Sequence, residues 1–289
     1  MAKNNQKTIA YQGEPGANSH LACLEYQPDW QALPCATFEG ALAAVKGGEA
    51  TFAMIPIENS VAGRVADVHH LLPDSGLHIV GEQFEPIHHQ LLGLKGATLE
   101  GLKSVHSHVM ALGQCRNKIR ELGLVAHPEG DTAGSARLVQ EAGDKSMAAI
   151  APSLAAEIYG LEVLAKDIED AAHNTTRFLI LSATPQIVKP TDGSIITTFV
   201  FRVRNVPAAL YKSMGGFATN GVNMTKLESY QLEGSFNATM FYADIEGHLD
   251  EPSVQLAMEE LEFYSSEVRI LGSYKANDFR LKLNNKERA

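Results

Sequence analysis

Up to about residue 185, short apolar runs alternate with stretches whose apolar residues recur at helical spacing. The runs predict strands at Thr8–Tyr11, Leu33–Thr37, Phe52–Ile57, Gln90–Gly93, Lys103–His106, Leu124–His127, Met147–Ile150, Leu161–Leu164 and Arg177–Ser182, with a second set of elements starting near Ile79. Helical spacing covers Asn18–Tyr26, Glu39–Val45, Val65–Leu72, Met110–Glu121, Thr132–Ala142 and Leu154–Tyr159. Strands that alternate with helices predict parallel sheets covered on both faces. Thr184–Ser194 carries two prolines, a glycine and polar residues, and reads as a linker. Beyond it the order changes to a strand at Ile195–Val203, a helix at Pro207–Thr219, strands at Asn223–Gln231 and Asn237–Ile245, a helix at Glu251–Tyr264 and a strand at Val268–Tyr274. That βαββαβ order is the ferredoxin-like unit. Pro207 and Pro252 are expected in the first turns of their helices, where a missing N–H does no harm. The charged end, Leu281–Ala289, is expected to fray.

A length of 289 residues suits two domains with real cores, and 45% apolar with 20% charged residues is ordinary globular composition. Lys and Arg number 24 against 34 Asp and Glu, a formal charge of −10, which repels a phosphate backbone and argues against nucleic acid as a partner. Cys23, Cys35 and Cys115 are few, odd in number and widely spaced, so neither a disulfide scaffold nor a thiolate metal cluster is expected. Met1–Thr8 is polar and unlike a secretory signal, and no run of eighteen apolar residues occurs. A reduced, cytoplasmic protein with no membrane span is the expectation.

Three segments carry candidate chemistry. Ile55–Gly63 joins a strand end to a helix start, where Asn59 and Ser60 offer donors beside the free N–H groups of the helix; a plain N-cap is the competing role. In His106–Cys115, Ser107 stands at a strand end and Gln114 lies two helical turns on, so a hydroxyl and an amide could grip one ligand, or serve only as cap and surface residue. Asn174-Thr175-Thr176-Arg177-Phe178 leads into an apolar strand; a hydroxyl beside a guanidinium suits a carboxylate, although a strand start with a surface ion pair fits equally. Eight of the eleven histidines lie between His69 and His127, but no H-E-x-x-H motif accompanies them, and adjacent strand histidines face opposite ways. No metal is expected. The G-x-S-x-G, P-loop and G-x-G-x-x-G signatures are missing, so a cofactor-free site for a small anion is what remains.

Taken together, these segments resemble the prephenate dehydratase family over nearly the whole chain. The N-x-T-R-F box at Asn174–Phe178 carries most of the likeness. Pro56–Ser60, the opening Tyr11-Gln12-Gly13 with Gly16 and Ser19, and Ser107, His108, Gln114 and Cys115 support it. The resemblance implies decarboxylating dehydration of prephenate to phenylpyruvate, CO2 and water, a carbon–oxygen lyase reaction. It also implies a periplasmic-binding-protein-like catalytic domain over residues 1–187. One α/β lobe would be formed by about 8–80 with 175–185 and the other by 81–174. By resemblance Thr176 is catalytic, and Asn59, Ser60, Ser107, Gln114 and Arg177 contact substrate. Glu58 is a second possible proton donor, or else a structural partner of a cation.

The tail, residues 195–280, is similar to the family's α+β ferredoxin-like ACT domain, which implies L-phenylalanine as effector and a homodimer or homotetramer formed through these domains. Its effector positions map onto Ala209, Leu210, Asn223, Glu228 and Ser229. Here Ala208 replaces the usual Gly of the P-G-A-L box, and Tyr230-Gln231 replace Arg-Pro of the E-S-R-P box. Two alternatives accompany this assignment: arogenate dehydratase, on the same fold, and a non-catalytic amino-acid sensor. The expected polar N-terminus argues against a secreted solute-binding protein.

Overall fold

The computed structural model describes residues 7–231, 238–280 and 282. The start of the expected strand Asn237–Ile245 and the charged tail, apart from Lys282, lie outside them. In chain order the strands are β1 (Thr8–Gln12), β2 (Gln31–Cys35), β3 (Phe52–Asn59), β4 (Gly63–Arg64), β5 (His78–Pro86), β6 (Gln90–Gly93), β7 (Ser104–His108), β8 (Val125–Glu129), β9 (Met147–Ala151), β10 (Glu162–Ala165), β11 (Thr175–Ser182), β12 (Ile195–Val203), β13 (Met224–Gln231), β14 (Ala238–Glu246) and β15 (Ser265–Lys275). The helices are α1 (Asn18–Tyr26), α2 (Phe38–Lys46), α3 (Ala66–Asp74), α4 (Val109–Gln114), α5 (Arg116–Glu121), α6 (Thr132–Ala142), α7 (Ser153–Tyr159), α8 (Ala209–Thr219) and α9 (Pro252–Tyr264). The chain forms two compact units, one of residues 1–68 with 83–179 and one of residues 69–82 with 180–289.

Two sheets build the α/β part. The first runs β2-β1-β3-β11-β5, with β4 paired to β3. β1 is buried along Thr8–Tyr11 and lies parallel to β2 and β3, as a continuous apolar run predicts. The second runs β10-β6-β9-β7-β8. In it β7 is parallel to β8 and β9, but β6 is antiparallel to β9 and β10. The expectation of wholly parallel sheets is therefore corrected. β6 follows β5 through Ile87–His89 alone, and without a helical crossover nothing constrains it to run parallel with its new neighbours. Pleat alternation sorts the side chains of this sheet: Leu92, Ala149 and Ala151 join Ala133, Ala136 and Ala155 on one face, while Leu91, Ala148 and Ile150 join Val105 and Leu112 on the other. Alanine at so many contacts lets α6 and α7 pack close. Gly16 does the same in the β1–α1 turn, where φ is +95° and a Cβ would stand 2.8 Å from the Ala155 backbone.

One expected helix is two. Met110–Glu121 breaks at Cys115, whose φ and ψ of −121° and 26° are not helical, so Gln114 ends α4 instead of sitting mid-helix. Gly113 just before the break weakens the helix there.

The β12–β15 sheet has the order β13-β14-β12-β15, with every pair antiparallel, which is the ferredoxin-like arrangement. Phe199, Phe201, Phe217, Phe241, Val254 and Leu261 form its core against α8 and α9. α8 starts at Ala209, not at Pro207, because Ala208 is left-handed (φ 63°) and caps it. Within the same unit His69 meets the Tyr230 and Tyr242 rings edge-on, at 6.2 and 5.1 Å. Buried Glu82 accepts from Arg280 at 2.6 and 2.9 Å and from the Asn277 backbone at 3.1 Å.

Candidate active site

The site begins with a turn. Where β3 ends, Asn59 Oδ1 accepts from the backbone N–H groups of Val61 and Ala62 at 3.0 and 2.8 Å. Two backbone donors identify that atom as the oxygen, since an amide nitrogen cannot accept. Asn59 Nδ2 then faces the start of β11 and donates to Asn174 Oδ1 at 2.7 Å and to Thr176 Oγ1 at 2.9 Å. With Asn174 Oδ1 fixed as the acceptor, Asn174 Nδ2 donates to Gln114 Oε1 at 3.1 Å. Gln114 Oε1 also meets His89 Nε2 at 2.8 Å, and since that oxygen only accepts, His89 carries its proton on Nε2. Gln114 Nε2 is left pointing along a long contact, 3.5 Å, to Asn59 Oδ1. Thus four side chains from four segments take one consistent orientation, set by two backbone N–H groups. Thr176 Oγ1 receives a hydrogen bond in this chain, so its own O–H is available to donate.

This network borders a cleft of about 410 Å³, lined by Asn59, Arg64, His89, Gln114, Thr176 and Phe178 among others. Arg64 is the one Lys or Arg on its wall among the described residues. The hairpin that pairs Glu58 with Arg64 and Asn59 with Gly63 carries it there. Burial is the main influence on His89 and disfavours its charged form, with His88 adding to the effect while the Gln114 hydrogen bond and Glu169 oppose it.

The expected site residues divide. Thr176, Asn59 and Gln114 come together at the cleft. Ser60 lies beside them, tying β3 to β11: its hydroxyl donates to His173 O at 2.7 Å and accepts from Thr175 N at 2.9 Å. Ser107 is fully buried, donates to Ile150 O at 2.6 Å and is not on the cleft wall; His108, the next residue, is. Arg177 is 3% exposed and pairs with Glu58 at 2.9 Å, on the face of β11 opposite Thr176 and Phe178. In the ferredoxin-like sheet, Ala209 and Leu210 line a groove of about 240 Å³ together with Ala208 and Tyr211. Asn223, which donates to Glu246, Glu228, which pairs with Lys226, and Ser229 are not on that groove's wall.

Sequence reasoning gave no site role to His89, Asn174 or Arg64. Asn174 and Arg64 stood within or next to the boxes, so their positions were the available signal. His89 appeared only as one of a histidine pair. Its neighbour His88 pairs with Glu169 at 3.0 Å.

With the geometry in place, comparison with known proteins decides the lineage. A family profile described as prephenate dehydratase matches residues 9–186. The chain belongs to the prephenate dehydratase family. It is 52% identical over 279 residues to a bifunctional N-acyl-homoserine lactone acylase/prephenate dehydratase from Komagataeibacter europaeus, covering 96% of this chain and 99% of the relative. It is 39% identical to arogenate dehydratase/prephenate dehydratase 1 of Arabidopsis thaliana, covering 92% and 71%. Among solved structures, prephenate dehydratase from Arthrobacter aurescens in complex with L-Phe is 33% identical, with a TM-score of 0.84 and coverage of 92% and 89%. The periplasmic-binding-protein-like fold expected of this dehydratase family is the one observed. No helix among the described residues is long and apolar enough to cross a membrane.

Proposed function

We propose that this chain converts prephenate to phenylpyruvate, CO2 and water, with Thr176 as the donor to the departing hydroxyl. The observation that carries this reading is the fixed polarity of the Asn59–Asn174–Gln114–His89 network, which leaves the Thr176 O–H able to donate into the cleft. In the reaction the bond from the ring to its carboxylate breaks and its electron pair enters the ring, while the C4–O bond breaks and hydroxide leaves, taking a proton to become water. Aromatisation supplies the driving force, so what the protein must add is stabilisation of charge growing on that oxygen. A donor aimed there acts in the transition state and not before it. Thr176 is a weak acid, so it serves as a hydrogen-bond donor or a relay, with the proton coming finally from water.

Gln114 Nε2 and Arg64 hold the substrate's carboxylates in this proposal, Arg64 best on the side-chain carboxylate. A strong cation on the ring carboxylate would stabilise the ground state and oppose loss of CO2. Arg177, expected at the substrate, is assigned instead to holding Glu58 and the β3–β11 seam. The Komagataeibacter relative's name adds an N-acyl-homoserine lactone acylase. A nucleophilic threonine needs a base to take its proton, whereas Thr176 Oγ1 is hydrogen-bonded by an amide donor, which favours dehydration.

The ferredoxin-like sheet is proposed to act as an ACT domain with the Ala208–Tyr211 groove as its effector site; L-phenylalanine as the effector is supported by the L-Phe complex of the Arthrobacter protein. Exposed Tyr211, Leu256 and Phe263 support a dimer or tetramer formed through it. Three free cysteines suit a reducing, cytoplasmic setting.

Parallel assays of the full chain with prephenate and arogenate, following phenylpyruvate and phenylalanine, test the assignment. Prephenate turnover well above the spontaneous rate, lost in Thr176→Val, is the expected result. Arogenate preferred over prephenate would reassign the substrate, and binding without turnover would make the chain a sensor.

A further inference from the structure

We propose that His89 is a positioning residue: its neutral, Nε2-protonated ring holds the Gln114 carboxamide in the one orientation that keeps Gln114 Nε2 turned to the substrate. The proposal rests on the dehydratase reading for its kinetic consequences, and its structural basis is independent of that reading.

Two observations converge. The first is the side-chain contact, His89 Nε2 to Gln114 Oε1 at 2.8 Å, with His89 only 2% exposed. The second is that one short segment pins both backbones. His89 N donates to Glu169 Oε2 at 2.9 Å, His89 O accepts from Ile168 N at 2.9 Å, and Gln114 O accepts from Asp170 N at 2.7 Å. Ile168–Asp170 thereby brings the end of α4 and the start of β6 to a set separation, and the two side chains close the gap.

The tautomer follows from the network. Were the proton on Nδ1, Nε2 would accept, and the Gln114 amide would have to turn its nitrogen toward the ring. That nitrogen would then face Asn174 Nδ2, donor against donor. Relief would require Asn174 to turn as well, placing two donors, Asn59 Nδ2 and Asn174 Nδ2, against each other at the next link. Asn59 cannot turn, because two backbone N–H groups hold its oxygen. The imidazolium is disfavoured too: Nδ1 is buried with no hydrogen-bond partner among the described residues, and a charged N–H there would be unsatisfied. A bare Nδ1 acceptor is the least costly state, and it is the state that the rest of the chain requires.

The experiment pairs two substitutions with a direct measurement. An amide in place of imidazole puts its nitrogen near Nε2 in Gln and near Nδ1 in Asn, so only Gln keeps the donor. His89→Asn should lower kcat/KM about 10- to 100-fold while His89→Gln stays within about threefold of the parent, with both unfolding near the parent temperature. Nitrogen-15 spectra of the histidine-labelled full chain near neutral pH should show a protonated Nε2 and an unprotonated Nδ1 for His89, an assignment that His89→Gln confirms by removing the signal. Equal losses in the two variants, or parental activity in His89→Asn, would overturn the positioning role. So would an Nδ1-protonated or doubly protonated ring. If the parent itself fails to turn over prephenate, the dehydratase reading falls, and the tautomer is still decided by the spectra.

Discussion

Asn59→Asp changes the polarity of the site with almost no change of shape. Oδ1 keeps its two backbone donors, but the atom that replaces Nδ2 is an acceptor, placed 2.7 Å from Asn174 Oδ1 and 2.9 Å from Thr176 Oγ1. Thr176 has one proton, and a carboxylate at that distance takes it in a charge-assisted hydrogen bond. The cleft then loses its hydroxyl donor although the threonine is still present. Asn174 must also rotate, which sets its oxygen against Gln114 Oε1 at 3.1 Å. Loss of one transition-state donor costs on the order of 2.7–4 kcal/mol, or about 10²–10³ in kcat. Steady-state phenylpyruvate formation should show that fall with a smaller change in KM. Thr176→Val should fall comparably, and the Asn59→Asp/Thr176→Val double variant should be little worse than either single change, because both remove the same proton. A kcat for Asn59→Asp within threefold of the parent would refute the polarity argument, and fully additive losses would refute the shared proton.

Other predictions reach beyond the cleft. Ala208→Gly should stabilise the chain by about 0.5–1 kcal/mol in thermal or urea unfolding, because alanine at φ 63° carries strain of about 1–2 kcal/mol that the unfolded-state entropy of glycine only partly offsets; a loss of stability would mean that the Ala208 methyl packs usefully. Gly16→Ala should destabilise by about 2–5 kcal/mol, since its Cβ meets the Ala155 backbone at 2.8 Å and its φ is +95°. Glu85 is held up to about 7 by burial first and by Glu25 second, with His88 opposing. Its folded form therefore holds a proton that the unfolded form releases, and its contribution to stability is lost as pH rises from about 4.5 through 7. Glu85→Gln should accordingly gain on the order of 2–3 kcal/mol over the parent at pH 8 and little at pH 4 in denaturant titrations; a gain that does not depend on pH would reject the linkage.

Elements with local signals were legible in the sequence. Thr132–Ala142 agrees at both ends, because Asp131 caps its first turn and Gly143 adopts the left-handed conformation at its end. β12 likewise matches at Ile195 and Val203. Strand direction was not legible, since β6 turns against its neighbours by virtue of where the chain crosses between sheets, and no local pattern records that. The site was legible to the level of its boxes. Strand parity then separates Thr176 and Phe178 from Arg177, and His108 from Ser107, and parity relative to a cleft depends on the tertiary arrangement. His89 was hidden for a related reason: the partner that gives it meaning, Gln114, is 25 positions away, and the segment that aligns the two comes some fifty residues later still.

The Glu82 carboxylate bears on how this protein can be dissected. Gene truncation within Thr184–Ser194, read from the sequence as a linker, looks like a natural way to isolate the part that matches the family profile. Yet Glu82 belongs to β5, and its cationic and amide partners, Arg280 and Asn277, would leave with the discarded segment, as would the tyrosines around His69. The shortened product would keep an acidic group fitted for a guanidinium it no longer has, at the margin of its own sheet. Poor solubility or lost turnover in such a fragment would report that vacancy, not an activating role of the missing half, and Glu82→Gln in the fragment is the control that separates the two.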